Sequence, residues 1–550
     1  MEKRDAATVE AHPSGVEQTI RADHQLEHAL TVRDVFRRHP ALVFWSVYWS
    51  LAATGWGFDA QVNGGMLSVR AFRRDFGYMY GGEPVLPADW QAAFNTVSSV
   101  GQFFGGFACS WLADRVGRRA AMLAGVAIVT GGVLGEVFST ANGAFVVSKL
   151  ILGCGLGFYL TLAPLAASEC APVAFRGVAT AGVQFGIGAG QLLSNAVIKA
   201  FGEWDSRWAY RAPFAIQLVF PALLLAGLPF APETPWYLAR VGRREEAKRS
   251  LRRLYGAAID VDGKLVALEA TIADEEAVRS TQRSLLQCFR GTDRVRTAIS
   301  TGVFACQHLV GIIFVLGYST YFFQLAGLPT GKSFDLGVGV TACGLAGFVS
   351  SWFFINSLGR RNIFLFGMGL VTAILLLIGV LDVVPTSGAK WVQAGLTVVY
   401  AFVYTASLGA MAFAILGEAS STSLRAPTVA LATATQAIAG TVFNFVIPYM
   451  VNPDQGNLKG KVGFIFGGLA LVASAWGFFY VPELKGRTFD EIDRMFQARV
   501  PPRKMGSHQL EEDYTYASTA QPAAPRRRHS RLALAGRGLK PNTGDNLTLS

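Results

Sequence analysis

The sequence predicts an all-α membrane protein of twelve transmembrane helices in two pseudo-symmetric six-helix bundles. Three observations carry the prediction. First, 51% of residues are hydrophobic, only 16% are charged, and the mean hydropathy is +0.34; soluble domains carry about 25% charged residues. Second, the apolar residues gather into roughly a dozen runs of about 20 residues, each able to cross a ~30 Å hydrocarbon core as a helix. Third, the polar marks at the ends of these runs repeat between the two halves of the chain. This composition argues against a soluble enzyme and against a disordered scaffold.

Taken in order, the spans are expected at 42–68, 91–112, 120–140, 145–168, 178–201 and 210–231, then at 297–323, 334–356, 362–383, 392–416, 426–450 and 462–482. The resulting division is a cytoplasmic tail (1–40), an N-terminal bundle (41–231), a cytoplasmic central loop with short helices (232–296), a C-terminal bundle (297–482) and a largely disordered cytoplasmic tail (483–550). The central loop holds 13 Lys/Arg and 10 Asp/Glu, with helix-like stretches at Arg243–Tyr255 and Gly263–Arg279. Arg115, Arg118 and Arg119 between spans 2 and 3, and Arg360 and Arg361 between spans 8 and 9, lie on the same side. An excess of basic residues marks the cytoplasmic side, which puts both termini there. Arg70, Arg73 and Arg74, after span 1, oppose this and are outvoted. A multi-pass protein of the plasma membrane is the expectation.

The net charge of +11 sits mostly in loops and tails, as this topology requires, so nucleic acid is not the expected partner. No short apolar run precedes a cleavage site near the start, which argues against a removable signal peptide. The six cysteines show no CxxC spacing, and neither disulfides nor metal ligation is expected of them.

The halves repeat. "ADRVGRR", with Asp114, Gly117, Arg118 and Arg119, returns 242 residues later as "INSLGRR", with Asn356, Gly359, Arg360 and Arg361. Glu169 precedes Arg176 by seven residues, and Glu418 precedes Arg425 by seven. Pro232–Glu233 returns as Pro482–Glu483. Three marks at one period signal a duplicated six-helix unit, an architecture of secondary transporters.

With these marks the chain resembles the sugar-porter family of the major facilitator superfamily, from about Val43 to Phe496. The resemblance rests on "WGFDA", "LADRVGRR", "PLAASECAPVAFRG", "PETPWYL", "GYSTYFFQLAG" and "VPELKGRTFDEID", in that order. "ETPWYLAR" and "YSTYFFQLAGL" look most like the fungal branch of maltose and other α-glucoside permeases. The resemblance implies the major facilitator fold and a transporter rather than an enzyme. It also implies a cytoplasmic gating network in which Glu169 meets Arg118 and Glu418 meets Arg360. Asp114, Arg176 and Arg425 would join it, latching the cytoplasmic ends in the outward-facing state. Ser110 stands at the motif's usual Gly and Asn356 at its usual Asp. The C-terminal latch should be the weaker, because an amide cannot make the charge-assisted bond open to Asp114.

Ionisable residues inside spans are costly, about 2.5–3.5 kcal/mol on insertion scales, so each is a functional candidate. Asp59 in span 1 and Lys149 in span 4 are the informative pair. Proton-coupled sugar porters carry the span 1 Asp, which takes up and releases the proton, and an Arg where Lys149 stands. Lys supplies the charge without Arg's planar fork. A structural ion pair is the competing reading. Glu136 in span 3 lies toward the outer end and is expected at the interface.

Side-chain amides within the spans suit a polyol, whose hydroxyls both donate and accept. Gln184 and Gln191, seven apart on one face of span 5, match the family's two span 5 glutamines. Gln307 matches the first of the family's paired glutamines; His308 replaces the second, and Ile313 an Asn further along. Gln436 matches a sugar ligand in span 11, with Asn444 two turns on. Phe413 stands where bacterial relatives stack a Trp on the sugar, and Tyr318 matches an outer-gate tyrosine. Singly, each also suits an interhelical hydrogen bond, worth about 0.6 kcal/mol on average. The three departures imply an altered pocket.

The glycine patches "GCGLGF" and "FGIGAG" lack the context of phosphate loops and suit close helix packing. No cofactor or catalytic group is expected. The tail's Pro525–Arg531 suits anionic lipid, and the "NLT" at Asn546 would face the cytosol, away from glycosylation. The function expected is proton-coupled uptake of a sugar, such as an α-glucoside or disaccharide, or of a related polyhydroxylated solute. The alternatives are a carrier of quinate or a secondary metabolite, and a sensor that binds without transporting.

Overall fold

The computed structural model describes residues 32–507, apart from 257–259, 281–284, 385, 422–423, 486 and 488. In the first half run α1 (Pro40–Met66), α2 (Ala88–Val116), α3 (Arg118–Phe138), α4 (Asn142–Cys170), α5 (Val173–Phe201) and α6 (Trp208–Gly227). In the second run α7 (Asp293–Leu309 with Ile313–Leu325), α8 (Thr330–Leu358), α9 (Arg360–Val383), α10 (Ser387–Ala419), α11 (Arg425–Val451) and α12 (Val462–Tyr480). Each expected span coincides with one of these.

Among the described residues, eight helices are long and apolar enough to cross a membrane alone, and α7, bent by 42°, makes a ninth. The other three are diluted by polar residues: Asp59, Gln61 and Asn63 in α1, Gln91, Asn95 and Gln102 in α2, and Gln184, Gln191 and Asn195 in α5. These helices carry polar groups into the bundle, and hydropathy alone undervalues them.

Several helices are interrupted. In α6 the regular helix stops at Ile216 and resumes at Val219. Pro221 lies four residues after Gln217, so its missing N–H and its ring deny that carbonyl a helical bond. In α7 the regular helix stops at Leu309, turns through Gly311 at φ +76° and continues into a π-turn, Ile313–Gly317; in α10 the break is a π-turn, Thr405–Gly409. No proline causes them. Side chains satisfy the carbonyls around these breaks: Tyr400 donates to Val310 O at 2.5 Å, and Gln307 Nε2 lies 3.3 Å from both Leu408 O and Gly409 O. Non-helical backbone at membrane depth requires such partners.

Lipid offers no hydrophobic drive for helix association, so close backbone contact must supply it. A Cβ on Gly57 would strike the Ile187 carbonyl, one on Gly190 the Thr54 carbonyl, and one on Gly105 the Cys154 carbonyl. The patches "FGIGAG" and "GCGLGF" are thus packing surfaces, the first on α1 and the second on α2.

Between α1 and α2 a short helix (Arg70–Phe76) leads into an antiparallel hairpin of β1 (Tyr78–Tyr80) and β2 (Glu83–Val85). The hairpin marks one end of the bundle, and the GRR motifs mark the other, basic end. The three arginines that oppose the charge rule lie at the hairpin end, where two of them meet acids and the third bonds neutral oxygens. Arg70 faces Glu83 at 3.8 Å and Arg74 faces Asp205 at 2.8 Å. Arg73 bonds the carbonyls of Leu67 and Pro84 and the Gln324 amide.

At this end the two halves are bonded together. Gln61 reaches Leu316 O (2.9 Å), Asn95 reaches the Tyr318 hydroxyl (2.8 Å), Gln91 reaches Asn452 (2.8 Å), and Tyr78 reaches Asp454 (2.7 Å). A Cβ on Gly64 would collide with the Gly317 carbonyl, so α1 and the π-turn of α7 touch backbone to backbone.

The central segment forms helices Pro235–Arg240, Arg244–Tyr255 and Val261–Ser280. It packs on the first bundle, with His39 Nδ1 2.7 Å from Tyr255 O and the Tyr255 hydroxyl donating to Cys170 O. The start of 483–550 is ordered, unlike the loose tail expected. Phe489–Gln497 is helical, Ile492, Met495 and Phe496 are buried, and Asp493 pairs with Arg296 at 2.5 Å. Its apolar residues recur at helical spacing and had a face of the bundle to cover. The expectations for 1–31 and 508–550, including Pro525–Arg531 and Asn546, lie outside the described residues.

Candidate functional site

The basic end is built twice from the same parts. Gly117 (φ +96°) and Gly359 (φ +85°) stand immediately before α3 and α9. At Gly117 a Cβ would come within 2.6 Å of Glu233 Oε2, and at Gly359 within 2.5 Å of Glu483 Oε2. The backbone conformation and the approaching carboxylate both demand glycine. Each carboxylate then accepts the first two N–H groups of its helix. Glu233 takes those of Arg118 (2.9 Å) and Arg119 (3.1 Å), and Glu483 those of Arg360 (3.0 Å) and Arg361 (3.1 Å). An anion here satisfies orphan donors and meets the positive end of the helix dipole. Glu233 and Glu483 served in the sequence only as repeat marks; their role needed the fold.

The arginine that follows each glycine turns back to an acid. Arg118 grips Glu169 with Nε to Oε2 at 2.9 Å and Nη2 to Oε1 at 2.6 Å. Arg360 grips Glu418 with Nε to Oε1 at 3.0 Å and Nη2 to Oε1 at 2.7 Å. Tyr237, from "PETPWYL", covers Arg118 with its ring centre 5.2 Å away. The first pair is 1% and 10% exposed, the second 17% and 23%.

Two expectations change. Asp114 lies 3.6 Å from Arg118, is 57% exposed, and makes no close charge-assisted bond, so burial rather than that bond separates the two pairs. Arg176 is exposed and has no acidic partner among the described residues. The Arg–Glu pairs each lie within one half and are intact while the hairpin end is joined. The side chains of Asn356 and Arg425 lie outside the described residues.

Toward the hairpin end of the first bundle is a buried charge cluster. Lys149 Nζ is 3.2 Å from Asp59 Oδ1 and 2.6 Å from Glu136 Oε1. The three side chains are 1%, 1% and 0% exposed. Asn63 donates to the other oxygen of Asp59 at 3.2 Å. Phe145 and Phe214 flank the ammonium, with ring centres 5.5 and 5.3 Å away. Glu136 was expected at the interface and is instead fully buried. Packing of α3 on α4 turns it inward onto the one cation within reach. A small cavity, with Asn63, Gln91 and Asn95 in its wall, lies beside the cluster toward the hairpin end.

The amides fall into two groups. On α5, Gln184, Gly188 and Gln191 share a face, and a Cβ on Gly188 would be 3.0 Å from Leu345 of α8, so this face looks across to the other half. On α11, Gln436, Gly440 and Asn444 follow one another at helical spacing. A Cβ on Gly440 would lie 3.4 Å from His308 Nε2, which sets His308 against this face. Gln184, Gln191, Gln436 and Asn444 are half-buried and make no side-chain hydrogen bond among the described residues. Gln307 differs: it is 3% exposed and donates to the π-turn of α10. Phe413 is 44% exposed and packs edge-on against Phe304 at 5.1 Å. Tyr318 is buried in the contact between the halves through Asn95. Sequence reasoning overlooked Trp56 and Gln102, which bond to each other at 2.9 Å between α1 and α2.

The difference in burial between the Arg–Glu pairs gives a prediction. Arg118→Ala strands a nearly buried carboxylate and should cost about 3–5 kcal/mol. Arg360→Ala frees an acid that water already reaches and should cost about 1 kcal/mol or less. Thermal unfolding of the two variants in detergent checks the order; an equal loss in both would refute it.

Comparison with known proteins agrees with this architecture. Residues 45–496 match the family model described as "Sugar (and other) transporter". The general alpha-glucoside permease of Saccharomyces cerevisiae is 30% identical over 489 residues, covering 88% of this chain and 79% of that protein. Maltose permease MAL31 of the same yeast is 27% identical over 503 residues, covering 90% and 82%. The xylose transporter XylE from E. coli, solved in an inward open conformation, matches with a TM-score of 0.67 at 20% identity, over 82% of this chain and 99% of that one. The last likeness is one of fold. Since the match spans both bundles and the motifs at their basic ends, the chain belongs to the sugar (and other) transporter family and has the major facilitator fold.

Proposed function

We propose that this protein imports a sugar, such as an α-glucoside or disaccharide, or a related polyhydroxylated solute, together with protons. The observation that carries the reading is the set of half-buried amides without protein partners on α5 and α11. A polar group at this depth costs free energy unless something bonds it, and a hydroxylated solute supplies both donors and acceptors. Family membership and the printed activities of the yeast relatives, alpha-glucoside and maltose permeases, support the same solute class. His308 borders the amide face of α11 and adapts the site.

Proton coupling follows from Asp59 and Lys149. A transporter concentrates solute only when a second gradient is tied to its conformational cycle through a site whose occupancy shifts the state equilibrium. The ammonium favours the ionised carboxylate, and movement of α1 against α4 would release it to bind a proton. The state described, joined at the hairpin end, is closed toward the outside in this reading. The basic end and both termini face the cytosol, and the membrane is the plasma membrane. The Arg–Glu pairs and the Glu233 and Glu483 caps stiffen the cytoplasmic ends so that each half moves as a body.

Three measurements test these statements. A cysteine at exposed Val241 should resist an impermeant thiol reagent in intact cells; labelling there would invert the topology. In a transporter-null host screened for solutes, Gln184→Ala, Gln191→Ala and Gln436→Ala should each weaken apparent affinity by about 1–3 kcal/mol at unchanged surface expression. Wild-type affinity in all three would remove the amides from the site. Asp59→Asn should abolish protonophore-sensitive accumulation and its stimulation by acid while sparing solute binding or downhill exchange. Full accumulation by that variant would leave a facilitator, and binding without accumulation by the wild type would leave a sensor.

A further inference from the structure

The cluster around Lys149 contains one acid more than the proton-coupling pair needs. Asp59 is fully provided for as an anion: Oδ1 takes Lys149 and Oδ2 takes Asn63. Glu136 is not. Its Oε1 is 2.6 Å from Lys149 Nζ, outside hydrogen-bond angles, and neither of its oxygens receives a hydrogen bond among the described residues. The side chain is nevertheless 0% exposed.

The surroundings offer no second counter-ion. Lys149 and Asp59 are the charged groups that act on Glu136. On α4, Ser148 bonds Ala144 O; on α6, the Tyr210 hydroxyl bonds Asp75, with Arg211 beside it. Two carboxylates and one ammonium, all ionised, would bury a net negative charge with water excluded. Such a charge is costly, and like charges sharing a site cannot both ionise freely.

We infer that Glu136 is a second proton-binding carboxylate of the carrier, sharing Lys149 with Asp59 so that the resting cluster holds one exchangeable proton. The proton belongs to the cluster as a unit and resides chiefly on Glu136, the acid without hydrogen-bond donors. When Asp59 moves away and is protonated, Glu136 can ionise against Lys149, so the ammonium is never left alone in the bundle. The inference rests on the symport reading for its role in transport, but not for the presence of the proton.

Infrared spectroscopy of the purified full-length protein reads that proton through the carboxylic-acid C=O stretch. In the wild type at neutral pH, one such band should be present beyond those of exposed acids and should vanish on alkaline titration. Glu136→Gln and Asp59→Asn should each abolish it, because either leaves one carboxylate facing one ammonium. Lys149→Met should enlarge it, because both acids then lose their counter-ion. Glu136→Gln should also move the pH of half-maximal accumulation by at least one unit toward acid, whereas a merely structural Glu136 would lower uptake at every pH alike. Absence of the band from the wild type, or its survival in Glu136→Gln, overturns the inference. If Glu136→Gln fails to fold, the wild-type and Lys149→Met spectra still decide it. A band without protonophore-sensitive accumulation would sink the symport reading and leave the shared proton; accumulation without a band would do the reverse.

Discussion

Hydrocarbon has no water to offer, so each polar group carried into the bundle must find its partner within the protein. The architecture follows from that requirement. Backbone groups are satisfied by helices, and where α7 and α10 leave regular helix, Tyr400 and Gln307 bond the released carbonyls. Charged groups meet inside the first bundle, where Lys149 gathers Asp59 and Glu136. The half-buried amides that no protein group satisfies become conspicuous for that reason. In the proposed function they are the places where a solute completes the bonding.

The same rule shapes the basic ends. A glycine turn brings an acid from the segment after the sixth or twelfth helix onto the first N–H groups of α3 or α9, and the next arginine folds back onto a second acid. Both halves repeat this arrangement, but not with equal burial. Arg118 is enclosed beneath Tyr237, a cover contributed by the short helix Pro235–Arg240 of the central segment. Duplication supplied the motif; the asymmetric linker changed its energetics.

Motion enters through the contact between the halves. At the hairpin end α1 grips the π-turn of α7 by Gln61 and by the backbone approach of Gly64 to Gly317. The residues of α1 that hold this contact lie within a turn or so of Asp59. In the proposed cycle, a change at the charge cluster would pass along one short stretch of helix to the place where the halves meet. Close glycine packing of α5 on α1 keeps that stretch from yielding locally.

Much of this was legible in the chain itself. Crossing a membrane demands long apolar runs, so most of the twelve spans could be read from hydropathy and the duplicated unit from its marks. Asp59 and Lys149 stood out because charges at that depth are rare. Depth along a helix is a one-dimensional property, but the direction a side chain faces is not. Glu136 looked interfacial by its position near the end of α3 until α4 brought Lys149 against it. Glu233 meets Arg118 across more than a hundred residues of chain, Arg176 turns outward despite its regular spacing from Glu169, and the π-turns lack a proline to announce them. In each case the deciding quantity was the rotation and approach of neighbouring helices, set by backbone packing that local sequence does not encode.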